Sequence, residues 1–129
     1  MILEAAAFCL ALTLYHEGDK RDGRFTEPLD GLFAIGQAVL TRAGRKPERV
    51  CAEVQKYKQF SWTLQPPPVE QNKAWQDAQA VARLSFHMAD FTGGATHFWA
   101  FYASPYWKSD MEILGQWGNH IFGKPKGKK

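Results

Sequence analysis

Cysteine is scarce in this chain: Cys9 and Cys51 are the only two. They read either as two buried thiols or as one disulfide, and the second needs an oxidising compartment. A bond between them would close a loop of roughly 43 residues, a contribution of about 4 kcal/mol in the chain-entropy treatment. Long apolar runs are also missing. None approaches the ~20 residues that a membrane-spanning helix requires. AAAFCLAL (Ala5 to Leu12) has the apolarity of a secretion signal but not its flanks. Glu4 precedes it instead of Lys or Arg, and no small-residue cleavage site follows, so the segment reads as a buried helix. If the protein works outside the cytoplasm, something else is expected to release it. No internal repeat and no linker is visible, and no basic face argues for nucleic acid.

The formal charge is +3, and four of the cations are lysines of the closing KPKGKK. The rest of the chain is therefore close to neutral. This divides the sequence into one domain over residues 1–123 and a basic tail over 124–129. The plain reading of the tail is a frayed, soluble end. Its functional reading is weak attraction to an anionic envelope. Hydrophobic residues make up 45% and aromatics 14% of the 129 residues, enough for one packed core.

Helical spacing organises most of the chain. Leu3, Ala7, Leu10, Leu14 and Glu17 fall on one stripe, with Phe8, Leu12 and Tyr15 beside it. A helix apolar around most of its circumference is a central one. Gly18 ends it, and GDKRDGRF reads as a polar loop. Thr26 is the expected N-cap of a second helix, with Pro28 in its first turn and Leu29, Leu32, Phe33, Gly36, Val39 and Leu40 inward. Gly36 costs about 1 kcal/mol of helix propensity, which a close helix crossing would offset. Gly44 stops this helix. A third helix starts at Pro47, with Val50, Cys51, Val54 and Tyr57 inward. A fourth is expected from Gln71 to Met88, with Trp75, Ala78, Ala82, Phe86 and Ala89 on one face. The prolines of QFSWTLQPPPVE exclude helix there, and QFSWT reads as a short extended piece. TGG is a turn, and ATHFWAFY fits either a strand or a buried irregular segment. Met111 to Leu114 reads as a last short helix. The whole is one mostly helical domain with a little strand.

His16-Glu17 begins like the zinc helix H-E-x-x-H, but the fifth position is Lys20. Gly18 would also end the helix before a second ligand could face the first. No metal and no cofactor is expected. Glu17 instead continues the Leu10–Leu14 stripe. A carboxyl held against apolar side chains has its charged form disfavoured, which suits a general acid at neutral pH. Glycoside cleavage is the standard user of such a group. Most glycosidases need a second carboxylate. Asp19, Asp22, Glu27 and Asp90 are available, and spacing places none of them. Trp62, Trp99, Trp107 and Trp117, with Tyr102 and Tyr106, crowd the second half. Most read as core; some could line a sugar groove, where a flat ring packs on a pyranose face.

Taken together, the motifs resemble the SleB-type cell wall hydrolase family, the catalytic domain of spore cortex-lytic enzymes and of phage and bacterial lysins. CLALTLYHE (Cys9 to Glu17) and EPLDGLFAIGQAVLTR (Glu27 to Arg42) are similar to that family's opening pattern. Cys51 followed by QFSW (Gln59 to Trp62), then TGGATHF (Thr92 to Phe98), Pro105, Trp107 and GNHIF (Gly118 to Phe122), match in order. The resemblance spans about Phe8 to Phe122. It implies a lysozyme-like, lytic transglycosylase-like α+β fold, mostly helical with a small β element. It also implies cleavage of peptidoglycan between N-acetylmuramic acid and N-acetylglucosamine. Lytic transglycosylases do this with a single acid/base, because the substrate's own C6 hydroxyl attacks.

The family's catalytic Glu maps onto Glu17. Gln59, Phe60, Ser61 and Trp62 are implied to line the groove, and Glu27, Thr96, His97, Trp107 and His120 to contact substrate. The family separates its first and second Glu by four positions. Here Glu17 and Glu27 stand ten apart, a six-residue insertion that leaves the part played by Glu27 open. Thr41 replaces the family's Asn before Arg42. The expected partner is the peptidoglycan glycan strand, met by a monomer at the bacterial cell wall. A short chain with no signal suits a phage lysin released at lysis or carried in the virion. The competing readings are a metal-dependent amidase using His16 and a non-catalytic wall-binding or virion structural protein.

Overall fold

Helix α1 runs from Ile2 to Glu17 and buries Ala6, Leu10, Ala11, Thr13 and Leu14. The computed structural model describes residues 2–56 and 72–127. Alanine and leucine at these spacings give α1 an apolar surface on more than one side. It packs against three other helices: α2 (Leu29–Arg42), α3 (Val50–Lys56) and α4 (Lys73–Ser85). Its first turn stays outside this packing, and Leu3 and Phe8 are exposed although the stripe pointed them inward. Thr13 is buried without cost because its hydroxyl donates to the Cys9 carbonyl one turn back.

Cys9 and Cys51 are disulfide-bonded, with Cα atoms 5.3 Å apart, and join α1 to α3. A 3₁₀ turn over Pro47–Arg49 leads into α3, whose Val50 and Val54 are buried as expected. Tyr57 and the whole QFSWT piece lie outside the described residues.

Where the sequence read GDKRDGRF as a loop, the chain forms a small hairpin. Strands β1 (Lys20–Arg21) and β2 (Arg24–Phe25) pair antiparallel. Asp22 and Gly23 turn between them at φ +54° and +76°. Asp-Gly is the favoured pair for two such positive φ values, because the turn then twists as the strands do. Each strand is too short for periodicity to reveal.

The expected N-cap at Thr26 is also displaced. Pro28 occupies that position, with no side-chain cap bond. Thr26 and Glu27 instead donate their amides to the Asp19 carbonyl, at 2.8 and 3.0 Å. The predicted helix crossing at Gly36 is present: a β-carbon there would lie 2.8 Å from Ser85 Oγ on α4. Gln37, fully buried beside it, donates to the Ser85 carbonyl and accepts from Arg45 Nη2.

Helix α4 is shorter than the spacing suggested and begins at an Asn72 cap whose side chain accepts from the Trp75 amide. The chain turns after Ser85, so Ala89 is exposed.

The largest departure is at the C-terminal end. Met111 to Leu114 is not helix. Four residues are too few for spacing to choose, and Gly115 and Gly118-Asn119 are hairpin signals that outweigh it. Strands β3 (His97–Ala100), β4 (Met111–Trp117) and β5 (His120–Pro125) form an antiparallel sheet in the order β3-β5-β4. Pro125 pairs with Met111, so the first two residues of the lysine-rich end belong to a strand. The core gathers α1, α2, α4 and the inner sheet face, where Phe122 is fully buried. No helix among the described residues is long and apolar enough to cross a membrane.

Candidate active site

Glu17 is the last residue of α1 and is half-buried. Gly18 follows because nothing larger fits. A β-carbon there would stand 2.8 Å from both Leu32 Cδ2 and Phe25 Cε1. The Gly18 amide still donates to the Leu14 carbonyl, so helical geometry holds through Glu17. Lys20 then folds back over the helix end. Its ammonium lies 4.7 Å from the Tyr15 ring centre and donates to the Tyr15 and Gly18 carbonyls. A cation at these free carbonyls is favoured by the helix dipole. Burial nevertheless holds the Lys20 pKa below its ordinary value, against the attraction of Asp19 and Glu17. The hairpin is fixed at its far end too: the Gly23 carbonyl accepts from the Ala74 amide at 2.8 Å, and Asn72 donates to the Tyr15 hydroxyl.

Next to this helix end is a buried polar cluster that the sequence did not announce. The Glu27 side chain is closed to solvent and the His120 side chain nearly so, with His120 Nδ1 3.1 Å from Glu27 Oε1. Glu27 Oε1 also accepts from the Asp19 amide at 3.2 Å, and Oε2 accepts from the Asn119 amide at 2.6 Å. Burial alone would raise the Glu27 pKa. The close approach of His120 and the hydrogen bonds from the Asn119 and Asp19 amides outweigh it and hold the carboxyl below its usual range. Asn119 Nδ2 also donates to Asp19 Oδ2 at 2.9 Å.

Of the predicted contact residues, then, Glu27 and His120 come together, but inside the protein rather than on an open wall. His120 sits on the inner face of the sheet, its ring 5.9 Å from that of Phe98. His97 pairs across with Gly123, and strand alternation points it to the opposite face. There it meets Trp107 at 5.4 Å between ring centres, and its Nδ1 lies 2.9 Å from Thr96 Oγ1. Burial and then Arg42 push its pKa down. Trp107 packs on Trp99, which is buried. The sheet thus separates the Thr96–His97–Trp107 group from the Glu27–His120 pair. Gln59, Phe60, Ser61 and Trp62 lie outside the described residues. A depression of about 600 Å³ lies over Tyr106, Lys108 and Ile113; Tyr106, one of the aromatics considered for a sugar groove, lines it.

The remaining carboxylates have other employment. Asp22 is in the hairpin turn beside Arg21, and both are exposed. Asp90 accepts from the Thr92 amide and hydroxyl and from the Gly94 amide, shaping the TGG turn. No group of three His, Cys, Asp or Glu among the described residues could hold a metal ion.

The sequence profile described as Cell Wall Hydrolase matches residues 26–123. The match starts beyond Glu17, so the placement of Glu17 rests on the helix end itself. The catalytic domain of the germination-specific lytic transglycosylase SleB from Bacillus anthracis superposes with a TM-score of 0.69. It is 20% identical, over 92% of this chain and 93% of that one. The catalytic domain of the Bacillus cereus SleB protein gives 0.70 at 19% identity, over 94% and 91%. The fold is therefore that of the SleB catalytic domain. No curated protein matches the chain significantly.

Proposed function

The chain belongs to the cell wall hydrolase family, and from that premise we propose that it is a peptidoglycan glycosidase in which Glu17 acts first as acid and then as base. One observation carries the reading: a half-buried carboxylate ends α1, with helix-closing bonds on one side and the Asp19 and Lys20 contacts on the other. Positioned acids of this kind lower barriers by protonating the leaving oxygen. Glu17 would give its proton to the oxygen joining N-acetylmuramic acid to N-acetylglucosamine as the bond from that oxygen to muramyl C1 breaks. The resulting carboxylate would then take the proton of the same sugar's C6 hydroxyl, whose oxygen bonds to C1. The product is a 1,6-anhydro end, formed without water. In a muramidase, water would attack instead and leave a reducing end.

Two features favour the water-free route. Asp19, Glu27 and Asp90 are each engaged in holding the fold and are not offered as a second catalytic carboxylate, while Asp22 stands exposed in the hairpin turn. One structural neighbour, the SleB domain from Bacillus anthracis, is itself a lytic transglycosylase. In this reading Gln59, Phe60, Ser61 and Trp62 hold the sugar, with Thr96, His97 and Trp107 as further contacts. The Cys9–Cys51 disulfide suits work outside the cytoplasmic membrane.

The test is digestion of purified sacculi by the wild-type protein and by Glu17→Gln, with mass spectrometry of the released muropeptides. Anhydro-muramyl ends are expected from the wild type and none from the folded variant. Ends heavier by one water would make the enzyme a muramidase. Full release by the variant would remove Glu17 from the reaction.

A further inference from the structure

Glu17 is held from one side by α1, but a helix end frays unless the chain beyond it is also fixed. What fixes it here comes from the far end of the sequence. The turn between β4 and β5, Gly118-Asn119, reaches the segment after Glu17 by two separate routes. In the first, the Asn119 side chain donates to the Asp19 carboxylate at 2.9 Å. In the second, the Asn119 amide and the Asp19 amide donate to opposite oxygens of the one Glu27 carboxylate, which His120 contacts. The second route is enclosed. A β-carbon on Gly118 would lie 2.7 Å from Gly31 Cα, so main chain closes over the carboxylate. Asp19 itself accepts the Thr26 and Glu27 amides through its carbonyl and so closes the hairpin.

We propose that Asp19, Glu27, Asn119 and His120 form a clamp that positions the catalytic acid, with the β4–β5 turn setting where Glu17 stands. This assigns Glu27 and His120 to positioning rather than to substrate contact. It rests on the reading of Glu17 as the acid. Asp19 is two residues from Glu17, so a shift there moves the acid directly. Misplacement of a reacting group by about 1 Å costs on the order of 10²-fold in rate.

The test uses Asp19 and Asn119, because Glu27→Gln would leave buried His120 without its carboxylate and threaten the fold. Asp19→Ala and Asn119→Ala should each lower kcat on sacculi about tenfold or more, with KM and Tm little changed. The double variant should fall no further than the worse single one, since both remove the same bond. Asp19→Asn keeps an acceptor for Asn119 and should restore most of the rate. Hydrogen exchange at the Gly18 and Asp19 amides should quicken in Asn119→Ala, a readout that does not depend on cleavage. Wild-type-like kcat in Asp19→Ala, additive losses, or losses that track a fall in Tm would overturn the clamp. If the wild type released nothing from sacculi, the glycosidase reading would fall. The exchange arm would still decide the clamp, and unchanged exchange in Asn119→Ala would overturn it.

Discussion

Gly31 and Gly118 meet main chain to main chain: a β-carbon on Gly31 would lie 2.9 Å from Gly118 Cα. One glycine is in the first turn of α2 and the other in the β4–β5 turn, so this contact is where sheet and helices join over Glu27. Gly118 also has φ +58°, which a side chain makes costly. Gly31→Ala should therefore destabilise the protein by about 1–3 kcal/mol through overpacking. Gly118→Ala should cost at least as much, because strain adds to the clash. Urea unfolding at neutral pH measures both. Equal stability of Gly31→Ala and wild type would mean that the two turns are not held in this contact.

The direction of pH dependence follows from the buried groups. Burial, and next Lys20 or Arg42, lowers the pKa of His16 and His97. Glu27 is also lowered, as is Asp90, where hydrogen bonds from Thr92 and Gly94 outweigh burial. In all four the folded state holds its proton less tightly than the unfolded chain. The unfolded state then binds more protons in acid, and stability rises with pH. Their contribution is complete above the ordinary histidine range. It should shrink as pH falls through about 6.5 and again below about 4.5, the unperturbed histidine and carboxylate values. Urea midpoints over a pH series should show both losses; a flat series down to the carboxylate range would contradict the assigned environments.

The Cys9–Cys51 bond joins α1 to α3 across a separation of 42 residues. Replacing both cysteines by alanine should lower stability by about 4 kcal/mol if the effect is mainly on the unfolded chain. Thermal unfolding of the wild type with and without reductant provides the same comparison without mutation. A change near zero would mean that α3 keeps its place by packing alone.

How much of this was legible in the sequence depends on range. Elements that announce themselves locally were readable: the α1 stripe ending at Gly18, the Gly36 crossing and the stop at Gly44. The position of Glu17 at the end of α1 was legible for the same reason, since its place after Leu14 is a spacing. The sheet was not, because Met111 to Leu114 is short and Ile113 is exposed, which blurs strand alternation. The Glu27 cluster was hidden more deeply. Its partners are separated by up to a hundred positions, and no periodicity encodes a bond between Asp19 and Asn119. The available signals were local ones: an Asp-Gly pair and a Gly-Asn pair, each a turn.

The hairpin offers a test that separates stability from catalysis. Gly23 and Gly44 both have positive φ, +76° and +66°. A β-carbon on Gly23 would stand 3.4 Å from Asn72 Cβ, while Gly44 has open space around it. Alanine at either should cost about 1–2 kcal/mol, the penalty of left-handed backbone for an L-residue. Their places differ. Gly23 carries the carbonyl that receives the Ala74 amide and anchors the hairpin that follows Glu17. Gly44 lies past the other end of α2, whose 14 residues span about 20 Å. Gly23→Ala and Gly44→Ala should therefore lose similar stability in urea, while only Gly23→Ala should slow muropeptide release, by several-fold at a temperature where both are folded. Equal rates in the two variants would mean that the hairpin does not govern the proposed acid, Glu17, that it adjoins.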